Sequence, residues 1–334
     1  MPNDKINLWH YTTLDGLKGI ISNQNLWATD YRYFNDSSEF FYSKSILQPE
    51  FFPRVVALIK QEYDADQCVR QNVDAQGGIE RVAQMETSDT LDILYESLLN
   101  PPPLKRNIPY ILSFCKADEE NGFLQKHGLL SQWRGYGKDG GFAIVFNMEK
   151  LHEEFKIEQR EFDHRISGCG DVVYDPYEAS ATDEIKKAIY RIVDYAHKVH
   201  KSIVYKTPKY EVPIQKTNVD DVDSLVRCAM LLKHKGFSEE NEYRFYAYPN
   251  CVEDKNKSFK QIMTRSSSGI LVPYIELFKR SKMLPIEKIC IGPHKDKKLR
   301  EQSIKSYLGT IGKEHIEVFC SEIPFIGQST YREC

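Results

Sequence analysis

Residues Glu239-Glu240-Asn241-Glu242-Tyr243-Arg244 place two kinds of charge on one short stretch. Alternation along an extended strand sets Glu242, Arg244 and Tyr246 on one face and Tyr243, Phe245 and Ala247 on the other, core-facing one. A guanidinium beside a carboxylate favours its charged form. A carboxylate held ionised in a cleft can stabilise positive charge developing on a substrate. The plainer alternative is a structural ion pair on a strand. Upstream, Ser131-Gln132-Trp133-Arg134-Gly135-Tyr136-Gly137 puts Trp133 and Tyr136 three apart, on one helix face. Two such rings beside glycines could wall a site for a planar ligand, or simply fill a core. His10-Tyr11-Thr12 ends an opening strand with polar groups, and its imidazole offers both a donor and an acceptor. Asn35-Asp36 with Glu39 reads as a helix cap with a first-turn acid. Gly137, Gly140 and Gly141 precede a strand rather than open a helix, so they make no dinucleotide fingerprint.

Several elements must position these groups. Leu8–Tyr11 reads as a strand, Leu14–Ser22 as a helix capped by Thr13, and Leu26–Thr29 as a second strand. Residues 54–100 read as amphipathic helix, interrupted at Gly77-Gly78 and stopped by Pro101-Pro102-Pro103. Ile108–Cys115 is an apolar strand, Leu129–Tyr136 a short helix, Gly141–Phe146 and Asp171–Tyr174 further strands. Long helices follow at Asp183–Lys206 and 219–235, and then the strand Asn241–Tyr248. Ile270–Val272 is a short strand. Ile289–Gly292, a helix over about 295–308 and Ile316–Phe319 suggest a strand–helix–strand unit.

Composition narrows the class. The chain has 334 residues, with hydrophobic residues at 41% and charged residues at 28%, ordinary values that exclude a disordered or collagenous polypeptide. Lys plus Arg is 45 against 48 Asp plus Glu, a net charge of −3, so no global basic field argues for nucleic acid. The only basic clusters are Lys279-Arg280-Ser281-Lys282 and Lys295-Asp296-Lys297-Lys298 with Arg300. The 8 cysteines include no Cys-x-x-Cys pair, which removes the common zinc and redox motifs. No apolar run approaches the ~18 residues of a membrane span, and no apolar signal core follows Met1–Lys5. The expectation is a reduced, cytoplasmic protein.

In order along the chain, Leu8–Thr12, Phe34–Glu39, Trp133–Tyr136, Gly141–Phe146, Glu242–Arg244 and Ile289–Pro293 resemble a bacterial domain-of-unknown-function family often found beside phage-defence genes. Its pattern is L-x-H-Y-T, F-N-D-x-x-E, W-x-x-Y, G-x-x-I-x-F and E-Y-R, here over about 8–325 with 50–105 as a variable insert. The layout is also similar to the ADP-ribosyltransferase fold, in which a His on the first strand, a Tyr on a central element and a Glu on a later strand form the NAD site. DNA-targeting toxins of that fold likewise open on a His-x-Thr strand.

The resemblance implies an α+β fold with a split β-sheet core, as one domain over 1–334 carrying a helical insertion at 50–105. It implies that Glu242 is the catalytic carboxylate, with Tyr136 or Trp133 stacking on nicotinamide. His10, with Tyr11, Thr12, Trp133 and Arg244, would line the NAD site, His10 holding the ribose next to adenine. Glu240 would orient the acceptor. NAD is then the co-substrate, with no metal. The expected function is ADP-ribosyl transfer from NAD to a macromolecule, nucleic acid or protein, in a toxin or phage-defence effector with an antitoxin or other defence protein as partner. The alternatives are a non-catalytic binding or sensor module on the same fold, and NAD hydrolysis without an acceptor.

Overall fold

The computed structural model describes residues 6–34, 39–99, 108–117, 122–137, 140–174, 179–204, 226–227, 229–250, 258–267, 269–279 and 283–324. The chain forms two compact units. One comprises Met1–Asp30, Tyr110–Asp171 and Phe237–Cys334; the other comprises Tyr31–Pro109 and Val172–Gly236. The expected appendage at 50–105 is therefore part of a larger unit that also recruits Val172–Gly236. Asn35–Ser38, Pro101–Pro103, residues 219–225 and 228 of the second long helix and residues 280–282 of the basic cluster lie outside the described residues.

The helical unit contains α2 (Glu39–Ala65), α3 (Gln67–Ala75), α4 (Ile79–Leu99) and α8 (Ala179–Val204). Leu47, Phe51, Val55 and Ile59 recur every fourth residue along α2 and pack with Val69, Val73, Val82, Leu91, Ile189 and Val193. Pro49 and Pro53 lie inside α2. Proline costs a helix interior roughly 3 kcal/mol, and burial of the neighbouring apolar stripe, roughly 1.5–3 kcal/mol per large side chain, offsets it. The helix thus begins upstream of the insertion expected at 50–105 and runs through both prolines. Gly77 and Gly78, both at positive φ, separate α3 from α4 as the sequence suggests.

The other unit is a mixed α/β layer built on β1 (Asn7–Thr12), β2 (Leu26–Asp30), β3 (Tyr110–Ala117), β4 (Phe142–Asn147), β5 (His164–Asp171), β6 (Glu242–Pro249), β7 (Met263–Ser267), β8 (Ile270–Leu277), β9 (Ile286–Ile291) and β10 (Glu317–Cys320). Its helices are α1 (Leu14–Asn23), α5 (Gly122–His127), α6 (Leu130–Tyr136), α7 (Met148–Glu161) and α9 (Lys297–Thr310). One path through the sheet runs β10-β9-β4-β1-β3-β2-β8-β7, and β6 joins β3 to β5. Among the described strands, β9 and β10 alone pair in parallel, joined through α9, which is the expected strand–helix–strand unit. Thr13 caps α1, its Oγ1 accepting from Gly16 N at 3.2 Å.

The sheet branches at β3. Its Tyr110–Cys115 stretch pairs with Ala247–Glu242 along one edge. The opposite edge is shared: β1 takes Cys115–Ala117 and β2 takes Tyr110–Ile111. Between those ladders, Leu112, Ser113 and Phe114 face a fork from which β1 and β2 diverge.

A forked sheet edge as candidate functional site

His10 sits at the fork. Its Nδ1 lies 3.3 Å from the Ser113 carbonyl oxygen, where a continued β1–β3 ladder would have placed a backbone donor. A carbonyl only accepts, so Nδ1 carries the hydrogen and the neutral ring keeps its lone pair on Nε2. Burial, helped by the charge of Arg265 and opposed by the Ser113 bond, lowers the imidazole pKa to about 4. At neutral pH the fork thus holds an uncharged histidine with an acceptor nitrogen. The ring also meets Phe114 at 5.6 Å between centroids.

The register decides what shares a face. Trp9 pairs with Cys115, and Cys115 pairs with Glu242 on its other side. Glu242 and Arg244 therefore project with Trp9, Tyr11, Cys115 and Ser113. His10 belongs to the alternate set with Phe114 and Tyr243. His10 and Glu242 are two strand spacings apart across the sheet, roughly 10 Å, but their Cβ atoms leave opposite faces. Only the turn of the His10 ring into the fork brings it toward the other side, where it feels Arg265 of β7.

Glu242 and Arg244 are both buried, at 6% and 2% exposure. They form a two-point ion pair, Nε to Oε1 at 2.8 Å and Nη2 to Oε2 at 2.9 Å. The expected pairing on one strand face is present, and that second face is covered as well as the Tyr243 face. Glu240 ends the turn before β6 and is partly exposed.

The aromatic pair separates into two roles. Trp133 is fully buried, packs edge-on against Tyr11 at 4.8 Å, and donates from Nε1 to the His127 carbonyl at 2.9 Å. Tyr11 is buried too, and its hydroxyl accepts from Leu129 N at 2.8 Å. The Leu129 bond and the ring contact tie the start of α6 to β1, and the Trp133 bond ties α6 to α5, so both rings serve packing rather than an open wall. Gly128 permits the approach: at φ +71, a Cβ there would stand 2.9 Å from both Trp133 Nε1 and the Tyr11 hydroxyl oxygen. Tyr136 instead keeps 47% of its surface exposed. Thr12, the last residue of β1, lies partly buried against Gly16 of α1.

On the other arm of the fork stands a group the sequence did not single out. Arg265 donates from Nη2 to Thr29 Oγ1 at 3.2 Å and lies over the Trp27 ring at 5.9 Å. Trp27 stacks on Tyr274 at 4.3 Å. Burial lowers the Arg265 pKa, and among the described residues it has no carboxylate partner. These residues come from β2, β7 and β8, brought together by register alone, so no local motif could have announced them. No group of three or more metal-ligating side chains occurs among the described residues.

Residues 132–245, from Gln132 to Phe245, match the model of a family described as a protein of unknown function, DUF2971. The match includes Trp133, Tyr136, Glu242 and Arg244 and leaves His10 outside. No curated protein and no solved structure matches the chain.

Proposed function

We propose that the sheet unit is an NAD-dependent ADP-ribosyltransferase, with NAD received at the fork between β1 and β2. The observation that carries this reading is the split at β3 with a neutral His10 at its apex. A ribose is rich in hydroxyl donors, and the unprotonated Nε2 is an acceptor suited to one of them. Tyr136, exposed at the end of α6, is the ring of the predicted pair available to a departing nicotinamide. Arg244 keeps Glu242 ionised, and Glu242 accepts from a ribose hydroxyl and stabilises positive charge at the ribosyl carbon as the nicotinamide bond breaks. The ADP-ribose then passes to a nucleophile on a macromolecule, with Glu240 orienting that acceptor. In this reading the protein acts as a toxin or phage-defence effector and is restrained by a partner protein.

Incubation of the full chain with labelled NAD and separate RNA, DNA and protein pools tests it. Label on one pool supports transfer, and nicotinamide release without label points to NAD hydrolysis. One observation favours a second reading, a non-catalytic binding module. Glu242 is nearly sealed in its pair with Arg244 and leaves the sheet on the face opposite His10. Binding of NAD with neither transfer nor nicotinamide release would select that reading.

A further inference from the structure

Of the 3 tryptophans, Trp9 and Trp133 are buried, whereas Trp27 keeps 37% of its surface exposed. Its ring is held in place by Tyr274 stacked at 4.3 Å. Arg265 lies over the ring with its Cζ 5.9 Å from the centroid, held by Thr29 and without a carboxylate partner among the described residues. Arg265 is exposed on β7, so its charge is open to an anion arriving from solution. The nearest acid on the paired strand, Glu276, is already engaged by Lys279 at 2.7 Å, so its charge does not oppose one.

We infer that this β2–β8–β7 arm binds single-stranded nucleic acid, stacking one base on Trp27 and pairing the adjoining phosphate with Arg265. The inference rests on the transferase reading only for the role it gives the strand, that of acceptor. An aromatic platform with an adjacent guanidinium is sequence-tolerant, because every base presents a π-face. A duplex hides those faces, so the open strand is the form that fits. An acidic peptide would satisfy Arg265 but leave the exposed, pre-stacked Trp27 ring without a purpose. With a net charge of −3, stacking rather than counterion release carries most of the affinity.

Short fluorescent oligo-dT and oligo-U, titrated into the full chain by anisotropy, test this. Trp27→Ala should weaken binding by about fivefold or more, while Trp27→Phe, which keeps a ring, should stay close to wild type. Arg265→Gln should weaken binding and lessen the log–log salt slope by about 0.7, the share of one phosphate on a single strand. If Trp27→Ala unfolds, the Arg265→Gln salt slope decides alone. Absence of binding, equal binding by wild type and both variants, or equal competition by duplex DNA or a poly-glutamate peptide would overturn the inference. Calorimetry with NAD runs on the same preparations. NAD bound without oligonucleotide sinks this inference alone; oligonucleotide bound without NAD sinks the transferase reading and leaves the strand site standing.

Discussion

Arg244 reaches back two residues along β6 and holds both carboxylate oxygens of Glu242, at 2.8 and 2.9 Å. The pair is buried, so removing one partner takes the two-point contact away from a charge that water does not reach. Arg244→Gln should destabilise the protein by roughly 3–5 kcal/mol, read as a fall in urea midpoint. Replacing both, Glu242→Leu with Arg244→Met, should recover much of that loss, because neither charge then needs solvation. Equal stability of wild type and Arg244→Gln would show that the pair is not sealed.

His10 gives the fork an acid limit. Its folded pKa of about 4 lies below the ordinary 6.5, so the unfolded chain binds the extra proton first. Stability from this group is complete above about pH 6.5 and is lost as the pH falls toward 4. His10→Asn, which keeps a donor for the Ser113 carbonyl, should flatten that part of the stability profile. Urea midpoints for both proteins between pH 4 and 7 check it, and parallel profiles would place the titration elsewhere.

His197 in the helical unit behaves oppositely. Burial disfavours its charge, but hydrogen bonds and charges from Glu62 and Glu86, the latter 2.7 Å from Nδ1, outweigh burial and raise the pKa to about 9. Its contribution is therefore complete below about pH 6.5 and lost as the pH rises through 9. His197→Gln should weaken the protein at pH 6 more than at pH 9.5. A gap between the two proteins that is independent of pH would contradict this.

Much of the sheet was readable because its strands carry strong local signals. The strands expected at 108–115 and 241–248 form within two residues of those bounds, as Tyr110–Ala117 and Glu242–Pro249, and Thr13 caps α1 as the sequence suggests. β5 escaped because its centre is Gly168-Cys169-Gly170, poor strand formers; a Cβ at Gly168 would stand 2.3 Å from the Tyr246 hydroxyl oxygen, so packing demands the glycine. The strand expected at 171–174 is instead the end of β5 and a bridge at Val173. β7 escaped because its side chains are mostly exposed and lack a buried face to impose alternation. The site was harder. His10 and Glu242 could each be picked by type, but which face each leaves depends on a register set by strands more than 100 residues apart. The placing of Arg265 by Thr29, where its charge reaches His10, follows from strand pairing of the same kind.

Transfer of label from NAD, measured for wild type and Glu242→Gln and normalised to the folded fraction of each sample, tests the account most directly. Removing the carboxylate charge should cut transfer per folded molecule by about 10²–10³, the usual loss when one such stabilising group is removed, while NAD binding through the His10 fork persists. Undiminished transfer per folded molecule by Glu242→Gln, or no transfer by the wild type to any RNA, DNA or protein pool, would contradict it.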